Sequence, residues 1–183
     1  MRKKSRSFVE NQEISLRLDI YDDIFSDFDI RSYEQRALST DFLSEIQRAS
    51  QDKKFGEITL ALYLPEKKRS SRHEVTIKER LAAHFNKHYH LLAAEKKHLR
   101  KFGFTMVFLG ALCMIAATLV MFFAHEKTLV YSFLIIFLEP AGWFLLWEGM
   151  DLVIFHSKRV NPELDFYHKM SELHGDIHFL SHK

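Results

Sequence analysis

FGFTMVFLGALCMIAATLVMFFA, from Phe102 to Ala124, decides how this chain is read. The polar loop His125-Glu126-Lys127-Thr128 follows, and then LVYSFLIIFLEPAGWFLLWEGMDLVIF, Leu129 to Phe155. The first run has 23 residues and no charge. As a helix it would be about 35 Å long, more than the roughly 30 Å of a bilayer's hydrocarbon. The second run is slightly longer and is interrupted by Glu139, Glu148 and Asp151. The expectation is a transmembrane hairpin over 102–155, with spans 102–124 and 129–155.

Flanking Lys and Arg set the orientation. Lys96, Lys97, Arg100 and Lys101 precede the first span, Lys158 and Arg159 follow the second, and the loop offers only Lys127. Both termini are expected in the cytoplasm, in a multi-pass protein of the cell (inner) membrane. Glu139 then stands ten residues into its span, about 15 Å deep and near the midplane. Glu148 and Asp151 fall near the cytoplasmic interface, where water and Lys158 or Arg159 can reach them. A midplane charge costs at least about 2.5–3.5 kcal/mol. No Lys or Arg lies in either apolar run. Glu139 must therefore face protein or water, find a partner, or carry a proton.

Outward from the hairpin, the chain divides into a basic arm (1–12), a βαβ-type domain (13–72), an amphipathic helix (73–101) and a C-terminal helix and tail (156–183). Ile14, Leu16, Leu18 and Ile20 alternate with polar residues, as do Ile58, Leu60, Leu62 and Leu64 with Thr59, Ala61 and Tyr63. That period of two predicts two strands. Tyr33, Ala37 and Leu38, then Leu43, Ile46 and Ala49, predict a helix over 32–50. A strand-helix-strand unit with short links implies parallel strands. Two strands are too few to be stable alone, and Asp176 to Leu180 can supply a third. A long helix is expected from His73 through the first span without a break, since neither Gly nor Pro interrupts 73–102. Asn161-Pro162 predicts the start of a last helix, Glu163 to about His174. The fold class is α+β: a two-helix hairpin with a small cytoplasmic domain built from both termini, the tail packing on the N-terminal domain.

Bulk composition excludes several functions. The 183 residues hold 26 Lys and Arg against 24 Asp and Glu, a net charge of +2 that gives no reason to expect nucleic acid. Cys113 is the single cysteine, so no internal disulfide can form. The basic start, Met1 to Arg6, is not followed by an apolar stretch, so no cleaved signal is expected. Six glycines, no Gly-rich phosphate loop, no Gly-x-Ser-x-Gly and no Cys-x-x-Cys argue against an enzyme and against a cofactor.

Candidate sites follow. Glu139-Pro140 reads either as an ion or proton site, an acidic ring in a homo-oligomeric pore, or as a structural kink with a protonated, hydrogen-bonded carboxyl. Small residues recur every seventh position, Gly103, Gly110, Ala117 and Ala124 in one span and Gly142 and Gly149 in the other, which permits close helix packing within one hairpin or between subunits. Trp143 is too deep for an interfacial anchor and is expected to pack. Asp22, Asp23, Asp27 and Asp29 form an acidic turn, read as a solvated turn or a weak metal site. His84 and His88, at i and i+4, are read as interfacial or surface histidines, against a zinc site, which needs three or four convergent ligands, or a pH-sensing role. The basic link Glu66 to Arg72 reads as a solvated loop or a contact for anionic head groups. Ile135 to Pro140 faintly resembles the Trp-Asp-Ile-Met-Glu-Pro motif of the mitochondrial calcium uniporter pore. Isoleucines stand where that family has Trp and Asp, so no membership follows.

The functional expectation is a homo-oligomeric two-span membrane protein with ion or proton permeation, or its regulation, through Glu139. The alternative is a non-conducting anchored module whose cytoplasmic domain recruits a protein partner. A membrane-surface enzyme comes third.

Overall fold

The computed structural model describes residues 13–53, 58–123, 128–173 and 176–182. The chain is mostly helical, with two long apolar helices and a small three-stranded sheet. In order, it forms β1 (Glu13–Arg17), α1 (Thr40–Ser50), β2 (Thr59–Pro65), α2 (Ser71–Phe123), α3 (Leu129–Asp151), α4 (Asn161–Ser171) and β3 (Ile177–His182). The described residues divide into two compact units, one reaching His90 and resuming at Glu163, the other Leu91–Pro162. The boundary falls inside α2, whose helix belongs to both.

In the first unit β2 lies between β1 and β3, and all three strands are parallel. Leu60 pairs with Ile14 and Ile177, and Leu62 with Leu16 and Phe179. Period-two alternation puts these on one face, and most of them are buried along with Leu64. The expected third strand forms at the tail. Ile77, Leu81 and Phe85, one stripe of α2, are buried completely, and Phe166, Met170 and Leu173 supply a buried stripe from the α4 end of the chain. Each such side chain contributes about 1.5–3 kcal/mol of transfer free energy. The opposite sheet face leaves Ser15, Arg17, His178 and Leu180 exposed.

The helix expected over 32–50 begins only at Thr40. Polar side chains and backbone groups in the preceding stretch are engaged in a loop. The Asp29 carboxylate accepts the Ala37 N–H at 2.7 Å, the Ser26 N–H donates to the Ala37 carbonyl at 2.9 Å, and Phe25 bridges Leu38. Tyr33 stacks on Phe25 at 5.1 Å, so its helical spacing from Ala37 is loop packing. Two other boundaries move by a few residues: the long helix starts at Ser71, and the last one spans Asn161–Ser171, with Asn161 inside it.

Pro140 lies inside α3, which runs helical from Leu129 to Asp151. The irregularity comes later, where Leu152–His156 forms a π turn before a short helical turn, Ser157–Arg159.

Candidate functional site

The second unit is organised by its glycines. A Cβ built on Gly110 would lie 2.8 Å from the Gly142 carbonyl oxygen, and one on Gly149 would lie 2.7 Å from the Gly103 carbonyl oxygen. These distances leave no room for a side chain. The apolar part of α2 and α3 therefore meet backbone to backbone and antiparallel, with Gly103 opposite Gly149 and Gly110 opposite Gly142. Ala117, next in the row, is 7% exposed. The small residues of the two rows face each other within one hairpin.

That register places Glu139. Three residues before Gly142, it stands at the level of Cys113. A helix turns about 100° per residue, so Glu139 sits about 60° around α3 from Gly142. It is off the packed line and exposed, as is Pro140. Trp143 stacks on Trp147 at 5.7 Å, yet each residue is 60% exposed. The packing expected for Trp143 is thus limited to its own helix. Glu139, Trp143 and Trp147 form an uncovered flank of the hairpin.

The two other acids behave differently. Glu148 is half-buried. Asp151 Oδ2 lies 2.9 Å from His156 Nδ1. Five residues apart, these side chains would diverge on an α-helix, and the wider π turn brings them together. His156 escaped the sequence reading because the turn type that makes it a partner has no sequence signal.

The acidic turn is structural. Asp22 accepts from Arg36 at 2.6 Å and from the Tyr33 hydroxyl at 3.2 Å. Asp23 accepts the Asp19 and Ile20 N–H groups at 2.7 and 3.0 Å. Asp29 accepts three guanidinium bonds from Arg31, the shortest at 2.7 Å, and this pairing holds its carboxyl well below the usual range. Asp27 is exposed. The four do not converge, and among the described residues no group of three His, Cys, Asp or Glu side chains is placed to hold a metal. This turn does present Phe28 and Ile30, each 99% exposed.

The basic link is likewise tied down. Arg69 donates to both Glu74 oxygens at 2.8 and 3.0 Å and to Ser181 at 2.9 Å, and Lys68 reaches the Asp19 carbonyl at 3.3 Å. The same Glu74 receives the Tyr21 hydroxyl at 3.1 Å, while that hydroxyl accepts the Ser70 N–H at 2.8 Å.

The histidine pair is half-buried between α2 and α4. His84 and His88 on α2 lie 4.2 Å apart, and both rings lie against Tyr167 of α4, His88 stacked at 5.0 Å. Burial, reinforced by His88, Arg80 and Lys87, pushes His84 down to about 4. The pair is a neutral packing element, and Tyr89 stacked on His168 at 4.8 Å extends it. Comparison with family models, curated proteins and solved structures yields no match to the chain.

Proposed function

We propose that the chain is an integral membrane protein of two spans, both termini cytoplasmic. Copies of it assemble through the flank of α3 that carries Glu139, forming a pathway for protons or small cations. The membrane reading rests on two helices long and apolar enough to cross a bilayer whose apolar stretches are only 11% and 6% buried by the chain itself. Core helices of a water-soluble domain would be covered; these need an apolar solvent.

One observation carries the functional reading: Glu139 is exposed beside the packed line of the hairpin, not turned into it. About 15 Å along the span, lipid offers a carboxyl no partner, and neither apolar run supplies a cation. Copies that bring their Glu139 side chains together resolve this, because neighbouring carboxyls share protons or hold a cation between them. Pro140 adds to the site. Lacking an N–H, it leaves the Ile136 carbonyl without its helical donor and available as a further acceptor. In this arrangement Glu148 and the Asp151–His156 pair stand toward the cytoplasmic mouth, and Gly103, Gly110, Ala117, Gly142 and Gly149 keep each hairpin rigid. The test is flux into liposomes loaded with a pH-sensitive dye. Wild-type protein should conduct, and Glu139→Gln should lower the rate at least about tenfold, the scale of losing one charged site. Equal flux from both proteins would sink the proposal.

A second reading is favoured by Phe28 and Ile30. Two fully exposed apolar side chains on a turn held by Asp29 suit a module that docks a cytoplasmic protein partner. If the chain conducts nothing, substitution of both residues by Ser should abolish that docking while leaving the hairpin unaffected.

A further inference from the structure

The hairpin register gathers cations that are far apart in sequence. Lys96, Lys97, Arg100 and Lys101 occupy two successive turns of α2, as two adjacent i, i+4 stripes. Continuing the antiparallel register from Gly103 and Gly149 brings Lys158 and Arg159 level with the turn of α2 just before Lys96. All six belong to the same compact unit. Five are exposed and Lys96 is half-buried. Among the described residues no ion pair involves any of them. The acids nearby do not neutralise the set: Glu95, Glu148 and Asp151 are three against six cations. On the apolar side of this belt, Phe102 and Phe155 are 52% and 60% exposed, with His98 stacked on Phe102 at 6.4 Å.

Unpaired cations immediately outside two apolar helices, with aromatic rings immediately inside, match the layering of phosphate over glycerol and acyl carbon. We propose that Lys96, Lys97, Arg100, Lys101, Lys158 and Arg159 form one binding belt for anionic phospholipid head groups at the cytoplasmic end of the hairpin. The proposal rests on the membrane reading. The sequence offers a head-group contact only at Glu66–Arg72, as the alternative to a solvated loop. There Arg69 is bound to Glu74 and Ser181, which leaves Lys67, Lys68 and Arg72 against Glu66.

The full chain, purified in neutral detergent, is placed in nanodiscs of equal phosphatidylglycerol and phosphatidylcholine. The lipid that stays bound on release is identified by native mass spectrometry. Wild-type protein should retain phosphatidylglycerol at least about tenfold over phosphatidylcholine, and the preference should shrink as salt rises toward 1 M and the screening length falls to about 3 Å. Lys96→Gln/Lys97→Gln/Arg100→Gln/Lys101→Gln should reduce the preference to within about threefold. Lys158→Gln/Arg159→Gln, which leaves the larger orienting cluster in place, should fall between. Equal retention of both lipids by wild type, an unchanged preference in both variants, or loss of the bound lipid to inorganic phosphate would overturn the assignment. Extraction with alkaline carbonate from phosphatidylcholine vesicles separates the two claims. A chain that resists extraction but shows no lipid preference leaves the membrane reading standing and removes the belt, whereas a chain that is released removes both.

Discussion

Gly110→Ala, Gly149→Ala and Gly142→Ala should each weaken the hairpin, Gly142→Ala the least. All three add one methyl group, so the difference lies in what it meets. At Gly110 a Cβ would lie 2.8 Å from both the Gly142 oxygen and the Leu146 nitrogen, and at Gly149 it would lie 2.7 Å from the Gly103 oxygen and 2.8 Å from the Val107 nitrogen. Those are backbone atoms, so the helices must separate. At Gly142 the nearest atom is Met114 Cγ at 2.9 Å, on a flexible side chain, with the Gly110 oxygen at 3.0 Å. Overpacking a tight contact costs about 1–3 kcal/mol, and replacing Gly by Ala in a helix returns about 1 kcal/mol. The expected net loss is about 0–2 kcal/mol at Gly110 and Gly149, and smaller at Gly142, where Met114 can turn aside but the Gly110 oxygen at 3.0 Å must still give. Titrating the protein in mixed micelles with sodium dodecyl sulfate, followed by circular dichroism and by the distance between spin labels on α2 and α3, measures the difference. A gain of about 1 kcal/mol in both Gly110→Ala and Gly149→Ala, the helix propensity acting with no clash, would refute the backbone contact.

Other outcomes follow from the first unit. His84 is held neutral, its folded value of about 4 lying below the ordinary 6.5. The stability it protects is whole above about pH 6.5 and drains as pH falls toward 4, because only the unfolded ring then takes a proton. The undamped difference is roughly 3 kcal/mol, and the partial exposure of the ring reduces it to about 1–2 kcal/mol. His84→Leu should flatten the thermal melting temperature over that window, and an unaltered pH profile would contradict the assignment. Tyr21→Phe removes the hydroxyl that joins Ser70 to Glu74, so it should cost about 1–2 kcal/mol in chemical denaturation. Arg69→Ala should speed hydrogen exchange in β3, since it cuts the side-chain link to Ser181.

Alternation and continuity were the legible parts of the fold. Leu60, Leu62 and Leu64 declared a buried strand face, and Phe102–Ala124 declared an apolar helix, because each pattern repeats with the period of its own backbone. The stretch 32–38 misled for a related reason: Tyr33, Ala37 and Leu38 fall at helical spacing, but Asp22, Asp29 and Arg36 bind backbone and each other across the loop. Bonds between residues 8 to 14 positions apart carry no periodicity. The glycine rows were legible as a spacing of seven, whereas their facing partners needed three dimensions. Glu139 stood out in the sequence as an acid in an apolar run. Its direction, beside the hairpin seam instead of within it, comes from the fold. The Asp151–His156 pair and the neutral His84–His88–Tyr167 stack depend on a π turn and on the packing of α4, so no spacing rule reaches them.

The central claim, that the Glu139 flank meets a second copy, can be tested in native membranes without altering the acid. In a Cys113→Ser background, a cysteine replaces either Trp143 or Phe144, side chains that are 60% and 62% exposed. Trp143 lies about 40° around the helix from Glu139, and Phe144 about 140°. With mild oxidant, Trp143→Cys should give covalently paired subunits and Phe144→Cys should stay monomeric on a denaturing gel. Monomers from both variants, with a single-chain mass in detergent by light scattering, would contradict the assembly and the pathway built on it.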